Sequence, residues 1–331
     1  MAYSDCVSQR HVVVIATGGT VGMGTLLGSP GSVPLSGFDL VSSICIENKH
    51  VDLTQVDLFT KPSASITLAN VQTIADVIEQ WLAKGSIGAV VTHGTDTLEE
   101  TAFALSLLLD VKQPIVLTGA MRSPGLPGAD GPANLTAAAI VASCEQAKGL
   151  GPVVLFDDEL HAPQLVRKVH SSRPFAFSSA PFGPIGHLAE GRLDLVMTIK
   201  RRVGRLRVGP KVPAVPVIQA GLDLEPESIS AFMNADVGAV VIAGAGGGHV
   251  SSRVVDAIAE LAERVPVIIT SRVGMGHTLS STYAYSGSEI DLGERGVLNG
   301  GRWRPAQARI LSQILLSNGG SPSDLAELLA E

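Results

Sequence analysis

Short blocks of β-branched and other apolar residues alternate along this chain with longer stretches in which apolar positions recur every three or four residues. Residues 12–16, 88–92, 114–118 and 153–156 are of the first kind, and each is closed by a turn rich in Gly, Thr or Asp. Runs this short, apolar at nearly every position, read as strands buried on both faces. Residues 71–84, 98–109 and 134–146 carry the longer period and read as helices. Strands that alternate with helices build a mostly parallel sheet covered on both sides.

Near residue 191 the pattern breaks. A stretch rich in Lys and Arg runs to about residue 212. A second alternation follows, with strand-like residues 215–218, 237–243 and 265–270 and helix-like residues 226–234, 254–263 and 305–317. The expected architecture is two-domain α/β. Residues 1–190 form a larger N-terminal domain with a mostly parallel sheet and flanking helices, 191–212 a linker, and 213–331 a smaller C-terminal α/β domain. Residues 22–37 hold five Gly and two Pro without helical or strand period, and read as a surface loop able to act as a lid.

Composition narrows the class. With 331 residues, 45% of them hydrophobic and 17% charged, the chain can bury two sizeable cores. A net charge of −7 makes nucleic acid a poor partner. No run of 18 apolar residues suits a membrane span, and the N-terminus shows no secretory leader. Cys6, Cys45 and Cys144 are odd in number and widely spaced. They suggest neither a disulfide framework nor a zinc site, and the expected compartment is the cytoplasm.

In open α/β sheets ligands bind beyond the carboxyl ends of strands, and three turns there carry reactive groups. Thr17-Gly18-Gly19-Thr20 offers two hydroxyls around glycines that allow close backbone approach. Alone it reads as readily as a tight turn with satisfied threonines as a functional loop; against the alternative of a nucleotide loop, no P-loop lysine follows and the spacing is not Gly-x-Gly-x-x-Gly. His93-Gly94-Thr95-Asp96-Thr97 offers hydroxyls and a carboxylate. There, helix capping by Asp96 or Thr97 is the simpler reading, and His93 reads as structural. Gly119-Ala120-Met121-Arg122 is followed by Asp130, and Arg122 could bind a carboxylate or tie the loop to Asp130. A threonine nucleophile needs a base or proton path, which a Thr–Lys–Asp cluster can supply. Lys168 falls beyond the fourth strand; alone, it reads as a surface lysine.

Taken together, these motifs resemble the bacterial-type L-asparaginase (asparaginase/glutaminase) family. The likeness rests on Ala16-Thr17-Gly18-Gly19-Thr20, on the stretch from Thr92-His93-Gly94-Thr95-Asp96 to Thr101, and on Gly119-Ala120-Met121-Arg122 with Ala129-Asp130-Gly131-Pro132. Phe182-Gly183-Pro184 and Leu298-Asn299 with Pro305–Arg309 extend it over nearly the whole chain. The resemblance implies hydrolysis of L-asparagine to L-aspartate and ammonia through an acyl-enzyme, with broader glutaminase activity or non-catalytic amino-acid binding as alternatives. It implies Thr20 as nucleophile, Thr95 and Lys168 as proton shuttle, and Asp96 on the substrate α-amino group. Ser63 would bind the α-carboxylate, the Ala120 carbonyl the amide NH2, and backbone N–H groups near Gly19 and Thr95 the oxyanion. It also implies no metal, no cofactor, and assembly as a homodimer or homotetramer.

This sequence departs from the family at three places. Many relatives carry a tyrosine in the lid, but the tyrosines here are Tyr3, Tyr283 and Tyr285. Tyr283 or Tyr285 is therefore the expected activator of Thr20. Ala64 replaces a common polar residue, and Gly247 stands roughly where some relatives contribute an asparagine from the partner. Glu289 or the tyrosines are candidates to compensate.

Overall fold

The computed structural model describes residues 10–19, 23–25, 32–34, 40–46, 51–199 and 205–330. The chain divides into two compact units, Met1–Arg201 and Arg202–Glu331.

In chain order the first unit contains strand β1 (Arg10–Ala16), a pair of short antiparallel strands β2 (Met23–Thr25) and β3 (Ser32–Pro34), β4 (Val51–Asp57), helix α1 (Leu68–Ala83) and β5 (Gly88–Thr92). Then come α2 (Leu98–Leu108), β6 (Ile115–Thr118), α3 (Gly131–Ala142), β7 (Pro152–Phe156) and β8 (Glu159–His161). The unit ends with β9 (Arg167–Lys168), β10 (Phe177–Ser178), β11 (Gly186–Ala189) and β12 (Arg192–Leu195). Eight strands form one sheet in the order β12-β11-β8-β7-β6-β5-β1-β4. From β4 to β7 the pairings are parallel, and β8, β11 and β12 add an antiparallel edge.

Every residue of β5, β6 and β7 is buried, which is why their sequences are apolar without alternation. Val12, Val14, Val90, Val116 and Leu155 pack with Ala138, Val141 and Ala142 of α3 on one face. Helices α1 and α2 pack against each other, and reach the sheet at β1 and at β6 and β7 respectively. Helix α1 starts in a capping box between Thr67 and Asn70, and buries Val71, Ile74, Ala75 and Ile78 along one stripe. The Val and Ile side chains each contribute about 1.5–3 kcal/mol when fully buried.

Three expectations shift. Residues 192–195, read as linker, pair with β11 as strand β12, and the first unit runs on to Arg201. The helix expected over 134–146 starts earlier, ends at Ala142 and is followed by a separate 3-10 turn, Glu145–Ala147. The stretch 22–37, read as structureless, contains β2 and β3; its other residues lie outside those described.

The second unit holds β13 (Val217–Gln219), α4 (Pro226–Ser230), β14 (Val240–Gly244), α5 (Val255–Ala262), β15 (Val267–Ser271), α6 (Glu289–Glu294), β16 (Leu298–Asn299), α7 (Pro305–Ser317) and α8 (Pro322–Ala330). Its four strands lie parallel in the order β13-β14-β15-β16. Val240, Ile242, Ile258, Leu261, Ile269 and Leu292 belong to its core. Among the described residues no helix is long and apolar enough to cross a membrane.

Candidate active site

Register brings the carboxyl ends of four adjacent parallel strands level, with Ala16 opposite both Asp57 and Thr92, and Thr92 opposite Thr118. The turn leaving β1 is tied down at once. Thr17 donates its hydroxyl to the Thr92 carbonyl at 2.6 Å, and its own carbonyl accepts from Lys61 N–H at 3.3 Å. Gly18 and Gly19 adopt φ of +101° and +87°. A Cβ on Gly18 would lie 2.7 Å from the Lys61 backbone, and one on Gly19 would lie 2.5 Å from Gly94 N. Only glycine fits both conformation and space. The chain passes directly from Gly19 to Thr20, which lies outside the described residues.

After β5, His93 is fully buried and donates its backbone N–H to the Thr118 carbonyl at 2.9 Å. Nδ1 lies 2.7 Å from the Gly94 carbonyl and Nε2 2.9 Å from the Thr101 hydroxyl. The carbonyl can only accept, so Nδ1 carries the hydrogen and Nε2 accepts from Thr101. Burial lowers the ring's pKa from 6.5 to about 4, against the opposing hydrogen bond to Gly94. His93 is therefore a neutral structural ring. Thr97 occupies the N-cap position of α2 but makes no side-chain capping bond. Its hydroxyl donates instead to the Ser63 carbonyl at 2.8 Å, and Ser63 itself is packed against Gly94. Capping thus does not account for this threonine.

Lys168 is not a surface lysine. Its side chain is 14% exposed, and Nζ donates to Thr95 Oγ1 at 2.8 Å and to Asp96 Oδ1 at 2.7 Å. Glu99 accepts the backbone N–H of Lys168, which anchors β9 against the start of α2. Thr95 is buried, whereas the Asp96 side chain is 70% exposed and can meet a ligand. Asp96, Glu99 and Lys168 line an open depression with Val169, His170 and Ser171. Sequence reasoning gave Glu99 no role; nothing in the spacing links it to a backbone amide 69 positions away.

The turn after β6 packs as closely. A Cβ on Gly119 would fall 2.4 Å from the His93 carbonyl, and Ala120 is buried. Asn134 donates to the Gly119 carbonyl at 3.0 Å. The Asp130 carboxylate accepts from Met121 N–H at 2.9 Å and Arg122 N–H at 2.8 Å. The backbone of Arg122 meets Asp130, while its guanidinium donates to the Gly128 carbonyl at 3.1 Å.

Tyr283 and Tyr285 belong to the second unit, where both rings pack against His249, a residue that sequence reasoning missed. Glu289 lies there too, with Oε2 2.9 Å from His249 Nε2. Gly247 faces Leu279, into whose side chain a Cβ would intrude at 2.6 Å. Among the described residues no three His, Cys, Asp or Glu side chains group as metal ligands would.

Residues 11–201 match the family described as asparaginase, N-terminal, and residues 214–329 match the glutaminase/asparaginase C-terminal domain. The chain belongs to the asparaginase family. Among its asparaginase relatives, the L-asparaginase of Bacillus licheniformis is 32% identical over 314 residues, covering 94% of this chain and 96% of that one. The glutaminase-asparaginase of Acinetobacter glutaminasificans is 29% identical, with 97% and 99% covered. The crystal structure of a "Probable Cytoplasmic L-asparaginase" from Campylobacter jejuni superposes with a TM-score of 0.86 at 25% identity, covering 97% of this chain and 99% of that one.

Proposed function

We propose that this chain is an L-asparaginase that hydrolyses the side-chain amide of L-asparagine, with Thr20 as nucleophile. The observation that carries the reading is the hydrogen-bonded Thr95–Asp96–Lys168 trio, set at the same sheet edge as the Gly18-Gly19 turn that leads into Thr20. In this reading the Thr20 hydroxyl attacks the amide carbon and forms an ester as ammonia leaves. Thr95 and Lys168 then take a proton from water as it attacks that ester. Backbone N–H groups of Gly19 and Thr95 hold the oxyanion, a role in which preorganised donors contribute strongly. Asp96 receives the substrate ammonium, Ser63 its carboxylate, and the Ala120 carbonyl the amide NH2. No metal or cofactor is invoked.

Assembly as a homodimer or homotetramer and a cytoplasmic location belong to the same proposal. The free Cys45 and Cys144 support the latter. Glutaminase-asparaginases among the relatives favour a second reading, cleavage of both amides. One methylene is worth only about 1–3 kcal/mol of discrimination. Ammonia release from each amide, by wild-type protein and Thr20→Ala, tests the proposal. The expected result is kcat/KM higher for asparagine and no turnover by the folded variant.

A further inference from the structure

Lys168 does not belong to the eight-stranded sheet. Among the described residues β9 and β10 pair only with each other, with Lys168 opposite Phe177 and Arg167 opposite Ser178. The parallel ladder that levels the turns after β1, β5 and β6 therefore does nothing to place this lysine. Its position depends on what ties the β9–β10 pair to the rest of the first unit.

The ties differ at the two strands. Behind β10, the Phe177 ring packs against Phe156 of β7 with centroids 4.8 Å apart, and Ser179 Oγ lies 2.9 Å from Nδ1 of the buried His161. At β9, Val166 is buried, and the Lys168 backbone N–H donates to the Glu99 carboxylate. Glu99 stands in the first turn of α2, where unpaired helix N–H groups favour a negative charge. The same short segment, Thr95–Glu99, holds the far end of the side chain, since Nζ donates to Thr95 Oγ1 and Asp96 Oδ1. Lys168 is thus gripped at its backbone and at its tip. Beyond it the chain faces solvent, with Val169 58% and Phe175 57% exposed. A lysine stem is long and loses much rotamer freedom when fixed. With the tip alone held, drift of this solvent-facing hairpin would carry Nζ away from Thr95.

We propose that Glu99 is a positioning residue for amide cleavage: by holding the Lys168 N–H, its carboxylate keeps Nζ on the Thr95 hydroxyl. This role rests on the amidase reading above, and it depends on the acceptor oxygen rather than on the charge. The competing role for this position is binding a cationic group of the substrate, because Glu99 lines the same open depression as Asp96 and Lys168. That role would appear in KM and would need the charge.

The test uses the full chain, with kcat and KM for L-asparagine and unfolding midpoints measured together. Glu99→Ala lowers kcat by about 10- to 100-fold in folded protein, the scale of a displaced catalytic group, with KM changed less than about threefold. Glu99→Gln keeps an oxygen in the same place and stays within about threefold of wild type in kcat. Glu99→Met, long but without that acceptor, takes the place of Glu99→Ala should the latter not fold. In a Lys168→Met background Glu99→Ala causes no further loss, because the group it positions is gone. Hydrogen-exchange mass spectrometry over residues 165–170 adds a readout independent of turnover, with faster exchange in Glu99→Ala and wild-type protection in Glu99→Gln. With an active wild type, unimpaired kcat in Glu99→Ala, a Glu99→Gln variant as slow as Glu99→Ala, a loss confined to KM, or an equal further loss in the Lys168→Met background overturns the positioning role alone. Wild-type protein that releases no ammonia from either amide overturns the amidase reading and the positioning role with it.

Discussion

Lys168 Nζ lies 2.8 Å from the Thr95 hydroxyl and 2.7 Å from the Asp96 carboxylate, so one amino group bridges two side chains of a single turn. The two contacts differ in kind. Thr95 is buried and hydrogen-bonded, which suits proton transfer, whereas Asp96 keeps most of its side chain in solvent and can bind a cationic ligand group.

That difference predicts separable kinetics. Asp96→Asn removes the charge that would receive the substrate ammonium while leaving shape intact. A charge-assisted hydrogen bond is worth about 1.5–3 kcal/mol, so KM for L-asparagine should rise about 10- to 100-fold. Steady-state kinetics check this; an unchanged KM would place the ammonium elsewhere.

Gly19→Ala should disable the site by sterics alone. The backbone sits at φ +87° and the new Cβ would fall 2.5 Å from Gly94 N. Such a clash costs about 2–4 kcal/mol. The expected outcome is a fall in unfolding midpoint by denaturant, together with loss of ammonia release. Ala at Gly149, where nothing lies within 4 Å of a Cβ but φ is +85°, should cost less.

Asp130→Ala orphans the N–H groups of Met121 and Arg122, which its two oxygens now hold. About 1–3 kcal/mol of stability should go if those amides stay unsatisfied. The loop carrying Ala120 should also exchange its amide hydrogens faster. Hydrogen-exchange mass spectrometry over residues 119–130 reads both effects.

Two buried histidines set a pH dependence. Burial lowers His93 to about 4, and burial together with the nearby His187 lowers His161 to about 4. The unfolded chain therefore binds two protons near pH 6.5 that the folded chain refuses until about pH 4. Stability is full above pH 6.5 and falls as pH drops towards 4, by roughly 3 kcal/mol per unit with both rings contributing. Denaturant melts at pH 6 and 5 measure the slope, and His161→Gln should halve it.

Much of this was readable in advance, for a physical reason. Strands at the sheet centre, such as Gly88–Thr92 and Ile115–Thr118, are buried on both faces and so apolar throughout. The helix Pro305–Ser317 announced itself by proline at its start and a regular apolar stripe. Edge strands gave no such signal. Val51–Asp57 flanks the sheet half-buried and keeps polar residues, and Gly186–Ala189 and Arg192–Leu195 are short and largely exposed. Glycines at strand ends pointed to close backbone approach. The partnership of Lys168 with Thr95 spans 73 residues and follows from tertiary folding, not local pattern. His249 escaped notice because a lone histidine in a Gly-rich turn has no periodic context, and its carboxylate lies 40 residues on.

The role of the Thr95–Asp96–Lys168 trio is tested most sharply by kcat for L-asparagine in wild-type protein and in Lys168→Met, with unfolding midpoints measured alongside. The expected result is ammonia release by the wild type and a loss of about 10³-fold or more in a folded variant. No release by the wild type, or a folded variant turning over at near wild-type rate, would contradict it.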